Sequence, residues 1–248
     1  MTQSSSGYAH QPVIIPAGRV FLEGDLAIPG GTQGIVVFAH GSGSSRHSPR
    51  NVFVAQYLQN AGLATLLFDL LTSAEEIEDS LSGRLRFDIA LLAERLVAAT
   101  DWLARHEQAQ NLNIGYFGAS TGGGAALVAA AMRSERVKAV VSRGGRPDMA
   151  DRALLQVKAP TLLIVGGNDE VVIRLNVNAM DKLHAEKRLE VVPGASHLFE
   201  EPGALEQVAK LAADWFRKYL MGLEQSGSSR CPISGISPPK LGIGKRAP

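Results

Sequence analysis

A serine hydroxyl is a poor nucleophile at neutral pH. It becomes a good one when a base takes its proton and a carboxylate fixes the tautomer of that base. In this chain of 248 residues, one serine stands in the setting this chemistry needs. Asn113-Ile114-Gly115-Tyr116-Phe117 is a short apolar run that ends in Gly118-Ala119-Ser120-Thr121-Gly122, and Gly123-Gly124-Ala125-Ala126-Leu127 continues as an Ala-rich helix. Gly-x-Ser-x-Gly between a strand and a helix makes a sharp, strained turn that lifts its central hydroxyl clear of the sheet. The glycines at 118 and 122 are required where a Cβ would strike neighbouring backbone.

In this arrangement the acid and then the base follow the nucleophile in the chain. Two histidines do so. His184 lies in a charged helical stretch and reads as a surface residue. His197, in Pro193-Gly194-Ala195-Ser196-His197, lies in a loop that can swing an imidazole over a sheet edge, and it is the expected base. Asp169 follows the apolar run Thr161–Val165 directly and is the expected acid. Glu170 beside it and Asp148 after the preceding strand are the alternatives. The commoner fate of a loop aspartate is to form a turn or cap a helix.

Negative charge developing on the attacked oxygen calls for two N–H donors. Thr121, at a helix N-terminus, is the expected first donor. The second is expected from the loop after Ala39, His40-Gly41-Ser42-Gly43-Ser44-Ser45-Arg46-His47, with Ser42 the first choice and Gly43 the next. His40 reads as a structural loop residue. Gly43, Arg143 and Arg146 are candidate substrate contacts, the arginines for an anionic acyl group. Ordinary surface pairing is the competing reading for these arginines and for Arg46 and Arg50.

These residues need a sheet beneath them. Apolar runs at Ile35–Ala39, Ala64–Phe68, Val137–Val141 and Thr161–Val165 read as strands buried on both faces, with Arg19–Ile28 an edge strand and Leu189–Val192 a late one. Helical spacing predicts helices over Asn51–Asn60, about Arg86–Arg105, around Met149–Leu155, near Val177–Leu183 and over about Ala204–Leu220. Thr72–Gly83 reads as a polar crossing segment. Strands alternating with helices imply an α/β fold with a mainly parallel sheet, whose ligands bind beyond the strands' carboxyl ends. Only about twenty residues separate Val141 from Thr161, so the expected lid is minimal.

Apolar residues make up 45% of the chain, enough for a sizeable core, and the formal net charge of +1 leaves no basic stripe for nucleic acid. The one cysteine, Cys231, excludes an intrachain disulfide, and no Cys/His spacing suits zinc. No apolar run is long enough to span a bilayer and no signal peptide is evident, so a cytoplasmic location is expected. Residues 1–18 are expected to be a flexible N-terminus, 19–222 the domain, and 223–248 a flexible Ser/Gly/Pro-rich tail. The dinucleotide-binding fingerprint fails twice, because Arg46 stands where Gly41-x-Gly43 needs a third glycine and Leu127 where Gly122-x-Gly124 does.

Taken together, His40-Gly41-Ser42-Gly43-Ser44-Ser45, the Ser120 turn, Gly166-Gly167-Asn168-Asp169 and Gly194-Ala195-Ser196-His197 resemble the α/β-hydrolase superfamily, in its dienelactone-hydrolase-like branch, over about residues 19–220. The resemblance implies an eight-stranded, mostly parallel sheet. It also implies cleavage of a small-molecule ester or lactone through an acyl-enzyme, with no metal or organic cofactor. Dienelactone hydrolases carry cysteine where this chain has Ser120, which favours serine esterase chemistry. Thioesterase or amidase action, or a binding role on the same scaffold, are the alternatives.

Overall fold

A computed structural model describes residues 10–222. Residues 1–9 and 223–248, which include Cys231 and the expected tail, lie outside the described residues. Eight strands form one sheet: β1 (Gln11–Ala17), β2 (Val20–Ala27), β3 (Gly34–Ala39), β4 (Ala64–Phe68), β5 (Asn113–Ala119), β6 (Val137–Arg143), β7 (Thr161–Gly166) and β8 (Lys187–Val192). Their spatial order is β1-β2-β4-β3-β5-β6-β7-β8. The first two pairings, β1 with β2 and β2 with β4, are antiparallel, and all the others are parallel.

The parallel strands β3, β4 and β7 are buried at every residue, as their unbroken apolar sequences require. The helices are α1 (Pro49–Asn60), α2 (Ser73–Ser82), α3 (Ile89–Leu103), α4 (Thr121–Met132), α5 (Glu170–Lys182) and α6 (Ala204–Met221). One core gathers α3 and α4 onto Val37, Tyr116 and Val140. The other gathers α1 and α6 onto Val36, Phe38, Phe117 and Val141 on the opposite face. Neighbouring residues of one strand thus serve different cores, and the strand ends are clamped from both sides.

Several elements differ from expectation. Gln11–Ala17 falls in the segment expected to be flexible, yet it is an edge strand that turns back at Gly18 onto β2. Val13, Ile15 and Ala17 point inward, while Pro12, Ile14 and Pro16 face out. Prolines are tolerated on an edge, and here they mask the alternation. Thr72–Gly83 is the helix α2, closed by a reciprocal capping box between Thr72 and Glu75 and ended by Gly83 in the left-handed region. The long helix is divided, a 3₁₀ turn at Leu85–Phe87 preceding α3, which Asp88 caps. The 147–156 stretch is 3₁₀, broken at Asp151, and nothing larger is inserted between β6 and β7. α5 starts at Glu170, seven residues before the expected helix.

Strands β5 and β3 end where α4 begins, and no side chain fits between them. A Cβ on Gly118 would lie 2.5 Å from the Gly122 oxygen, and one on Gly122 would lie 2.6 Å from the His40 oxygen and overlap the Ala39 carbonyl. Gly122→Ala therefore forces backbone apart. We expect it to cost more than the roughly 1–3 kcal/mol of ordinary overpacking and to abolish soluble expression or lower the urea midpoint sharply. Gly30→Ala, in open space, is the control that should change little.

Candidate active site

Ser120 caps α4 with φ 50° and ψ −121°, a backbone strain held from several sides. Its N–H donates to the Arg143 carbonyl at 3.2 Å, and its own carbonyl accepts from the Gly123 and Arg146 N–H groups, both at 3.0 Å. The turn is thereby tied to the loop after β6.

On the far side of that loop stands His197. Its Nδ1 is 2.6 Å from Asp169 Oδ2. With Nδ1 donating to the carboxylate, Nε2 of the neutral ring is the free acceptor. Gly144 joins the two halves. It follows Arg143, and a Cβ on it would come 3.4 Å from Cε1 and 3.5 Å from Nδ1 of His197. The imidazole is partly exposed, whereas the Asp169 side chain retains 15% exposure. Asp169 makes two contacts with its carboxylate. Oδ2 holds His197, while Oδ1 accepts from the Val172 N–H at 3.3 Å and caps α5. The His197 loop is itself fastened, since Asn168 N donates to the Ala195 carbonyl at 2.9 Å and Asn168 Nδ2 to that of Gly194 at 2.8 Å.

The alternative acids and bases are engaged elsewhere. Asp148 forms a two-point pair with Arg146, at 2.8 and 2.7 Å. This also corrects the reading of Arg146 as an anion contact, because its charge is met within its own loop. His184 is exposed, distant in the fold at the end of α5. His40 is a structural loop residue as expected. It is buried, its Nε2 accepts the Leu70 N–H at 3.0 Å, and Nδ1 lies 3.0 Å from the Gly41 carbonyl.

Thr121, next to Ser120 in the chain, is buried. The Ser42 N–H, the expected second donor, points at Thr121 Oγ1 at 3.0 Å. Sequence reasoning did not foresee this contact, because nothing in the sequence couples residues 42 and 121. Gly43 has φ 68° and lies on the exposed side of the loop, where a Cβ would sit 3.8 Å from Arg86 Nη1. A cavity of about 620 Å³ opens beside Ser42 and Gly43, walled by Leu71, Leu92, Arg86 and Arg50. Arg46 is bound by Glu23, Asp25 and Asp69, so among the loop arginines Arg50 stands nearest to free, with Glu200 at 3.2 Å its one carboxylate partner. Among the described residues no group of acids, histidines or cysteines could hold a metal ion, and no helix is long and apolar enough to cross a membrane.

Two outcomes follow from this geometry. Ser120→Gly relieves a positive φ, whereas Ser120→Ala does not, so the glycine variant should be the more stable by about 1 kcal/mol in urea unfolding. Burial holds the His40 pKa below its ordinary 6.5. The unfolded chain therefore takes up this proton first as pH falls. The stability contributed by neutral His40 is complete above pH ~6.5 and is lost as pH falls through its folded-state pKa. His40→Gln should flatten the acid limb of a denaturation-midpoint profile; an unchanged limb would assign it to other groups.

Comparison with known proteins places this geometry. The profile of the dienelactone hydrolase family matches residues 22–226. A dienelactone hydrolase crystal structure from Anabaena variabilis is 63% identical, with a TM-score of 0.85, covering 86% of this chain and 99% of that one. Est1E from Butyrivibrio proteoclasticus, 17% identical with a TM-score of 0.70, shares the fold over 84% of this chain and 98% of its own. A Mycobacterium tuberculosis protein named as a putative phosphoribosyl transferase is 58% identical over 217 residues, 88% of this chain and 48% of its own length. The chain thus spans about half the length of that relative. With an eight-stranded α/β-hydrolase sheet and a family match over most of its length, the chain belongs to the dienelactone hydrolase family.

Proposed function

We propose that this protein is a serine hydrolase acting on carboxylic esters or lactones through an acyl-enzyme. The observation that carries the reading is the 2.6 Å contact of Asp169 with His197 Nδ1. With Nδ1 donating to Asp169, Nε2 is left as the acceptor nitrogen for the Ser120 proton. The strained φ of Ser120 adds to it, since such strain persists where the surroundings impose it and clusters at active sites.

The steps are those of acyl transfer. The Ser120 hydroxyl attacks the carbonyl carbon while His197 Nε2 takes its proton. Asp169 stabilises the imidazolium. The bond to the leaving alcohol then breaks, and the alcohol receives that proton. Water, deprotonated by His197, repeats the attack on the acyl-serine and releases the acid. The N–H of Thr121 holds the developing oxyanion, together with that of Ser42 once it turns from Thr121 Oγ1. The short 3₁₀ link between β6 and β7 leaves the site open and suits small substrates. The transferase name of the mycobacterial relative belongs to a polypeptide about twice this length, and the serine, imidazole and carboxylate here match hydrolysis.

A fluorophosphonate probe should label wild type at Ser120. Ser120→Ala should abolish labelling, and His197→Ala should lower turnover of short-chain 4-nitrophenyl esters by on the order of 10⁴-fold or more. Wild type inert to both the probe and the esters would overturn the reading in favour of a binding role.

Thr121→Val separates the possible second donors. With Ser42 N–H as donor, removing the hydroxyl frees it. Turnover should then stay within a few-fold, while stability falls by about 1–3 kcal/mol for the orphaned N–H. A fall of about 10²–10³ in kcat, rescued by Thr121→Ser, would transfer the role to the Thr121 hydroxyl.

A further inference from the structure

Val172, Asn176 and Ala179 are the buried residues of α5. They form the i, i+4, i+7 stripe that an amphipathic helix fills with apolar side chains. Asn176 is polar, yet it stands in the middle of that stripe with no exposed surface. Its Nδ2 donates to the Val172 carbonyl at 2.8 Å, one turn back in the helix. It also donates to the Gly145 carbonyl at 3.0 Å, outside the helix, in the loop after β6. Between two carbonyls an amide can present only its NH2 group. Both donors are then spent, and Oδ1 is buried without a partner. Asparagine is a poorer helix former than leucine, and an orphaned acceptor lowers stability. Leucine would serve the helix better on both counts. What asparagine adds is the bond that leaves the helix, to Gly145.

That bond falls between the two halves of the site. Residues 143–146 are anchored one after another. The Arg143 carbonyl accepts from Ser120 N–H, and Gly144 N–H donates to the Ile164 carbonyl of β7 at 2.7 Å. The Gly145 carbonyl accepts from Asn176, and Arg146 N–H donates to the Ser120 carbonyl. On the other half, Val172 N–H donates to Asp169 Oδ1 while Asp169 Oδ2 meets His197 Nδ1. A continuous path thus runs from the Ser120 carbonyl through Arg146, Gly145, Asn176 and Val172 to Asp169 and the imidazole. Asn176 supplies its link between loop and helix. The loop has little slack elsewhere. A Cβ on Gly144 would lie 3.2 Å from the His197 carbonyl, and one on Gly145 would overlap Ser142 Oγ.

We propose that Asn176 is a positioning residue for the hydrolytic reaction. Its amide ties the loop that holds Ser120 to the helix that Asp169 caps, and so keeps the Ser120 hydroxyl and His197 Nε2 in register. It touches no reacting atom and acts through Gly145. The role rests on the hydrolase reading above.

The test compares wild type, Asn176→Leu, Asn176→Ser and Gln59→Leu on 4-nitrophenyl butyrate. Leucine keeps the bulk and removes both bonds. Serine has one hydroxyl donor, which inside a helix goes to the carbonyl four residues back. It therefore keeps the helix contact, loses the loop, and guards against misfolding of the leucine variant. Gln59→Leu breaks a buried 2.7 Å bond to Thr65, between α1 and β4, and is the control for lost stability alone. Both Asn176 variants should lower kcat on the order of 10²-fold, as a misplacement of about 1 Å does, with KM within about threefold. Gln59→Leu should keep kcat within about twofold below its melting transition. In a His197→Ala background, Asn176→Ser should cost less than about twofold more, because residues that act as one unit are not additive. Wild-type kcat in Asn176→Ser would overturn the proposal. So would an equal loss in Gln59→Leu, or an undiminished loss in the His197→Ala background. Should wild type cleave no ester, the hydrolase reading falls and the positioning role with it; an active wild type with unaffected Asn176 variants removes the positioning role alone.

Discussion

Everything at the carboxyl edge of the sheet depends on three backbones meeting without side chains between them. The end of β3, the end of β5 and the first turn of α4 approach so closely that Gly118 and Gly122 can carry no Cβ. This contact forces the reversal at Ser120 into a positive φ and so presents the hydroxyl. It also brings His40 and the loop behind it against Ser120, where Ser42 N–H reaches Thr121. The Ser120 carbonyl then binds the Arg146 N–H, which draws the loop after β6 into the same knot. The geometry of the site is therefore a packing result, and the strain at one residue is sustained by two cores that clamp the sheet from either face.

The parts of this arrangement that were legible in the sequence are the ones dictated by local sterics. A strand buried on both faces has to be apolar throughout, so Ile35–Ala39 and Thr161–Val165 announce themselves, and the glycines around Ser120 mark a turn that other residues cannot make. Edge and surface elements were less legible. In β1 the prolines at 12 and 16 conceal an alternation that the fold uses, because proline is costly inside a sheet and harmless on its outer edge. For α2, polar composition suggested a crossing loop, although Thr72-x-x-Glu75 carried a capping-box signal that could have found the helix. Which carboxylate meets which arginine was not legible. Arg143 and Arg146 stand three apart and look alike in sequence, yet Asp148 neutralises one and the other is buried alone.

Asp169 shows why a structural and a catalytic reading of one residue need not compete. A carboxylate has two oxygens and about four acceptor positions. One oxygen caps α5 and the other holds His197. The cap fixes the carboxylate against a helix start, and a fixed carboxylate fixes the imidazole tautomer. The helix cap and the contact with His197 are therefore compatible in one carboxylate.

The same logic separates the polar groups that the fold pairs from those it leaves unpaired. Several polar side chains deep in the molecule are paired: Gln59 with Thr65, Thr100 with Tyr116, and His40 with two backbone groups. Unpaired buried atoms occur at Arg50, Asn51 and Arg143, and also at Arg46, Arg95, His106, Ser142, Asn176, Glu201 and Tyr219. An unpaired buried polar group lowers stability, and a marginally stable fold carries few of them without a reason. Among the described residues the fold keeps unpaired polar atoms at several places, and the corner at Arg50, Asn51 and Arg143 is one of them.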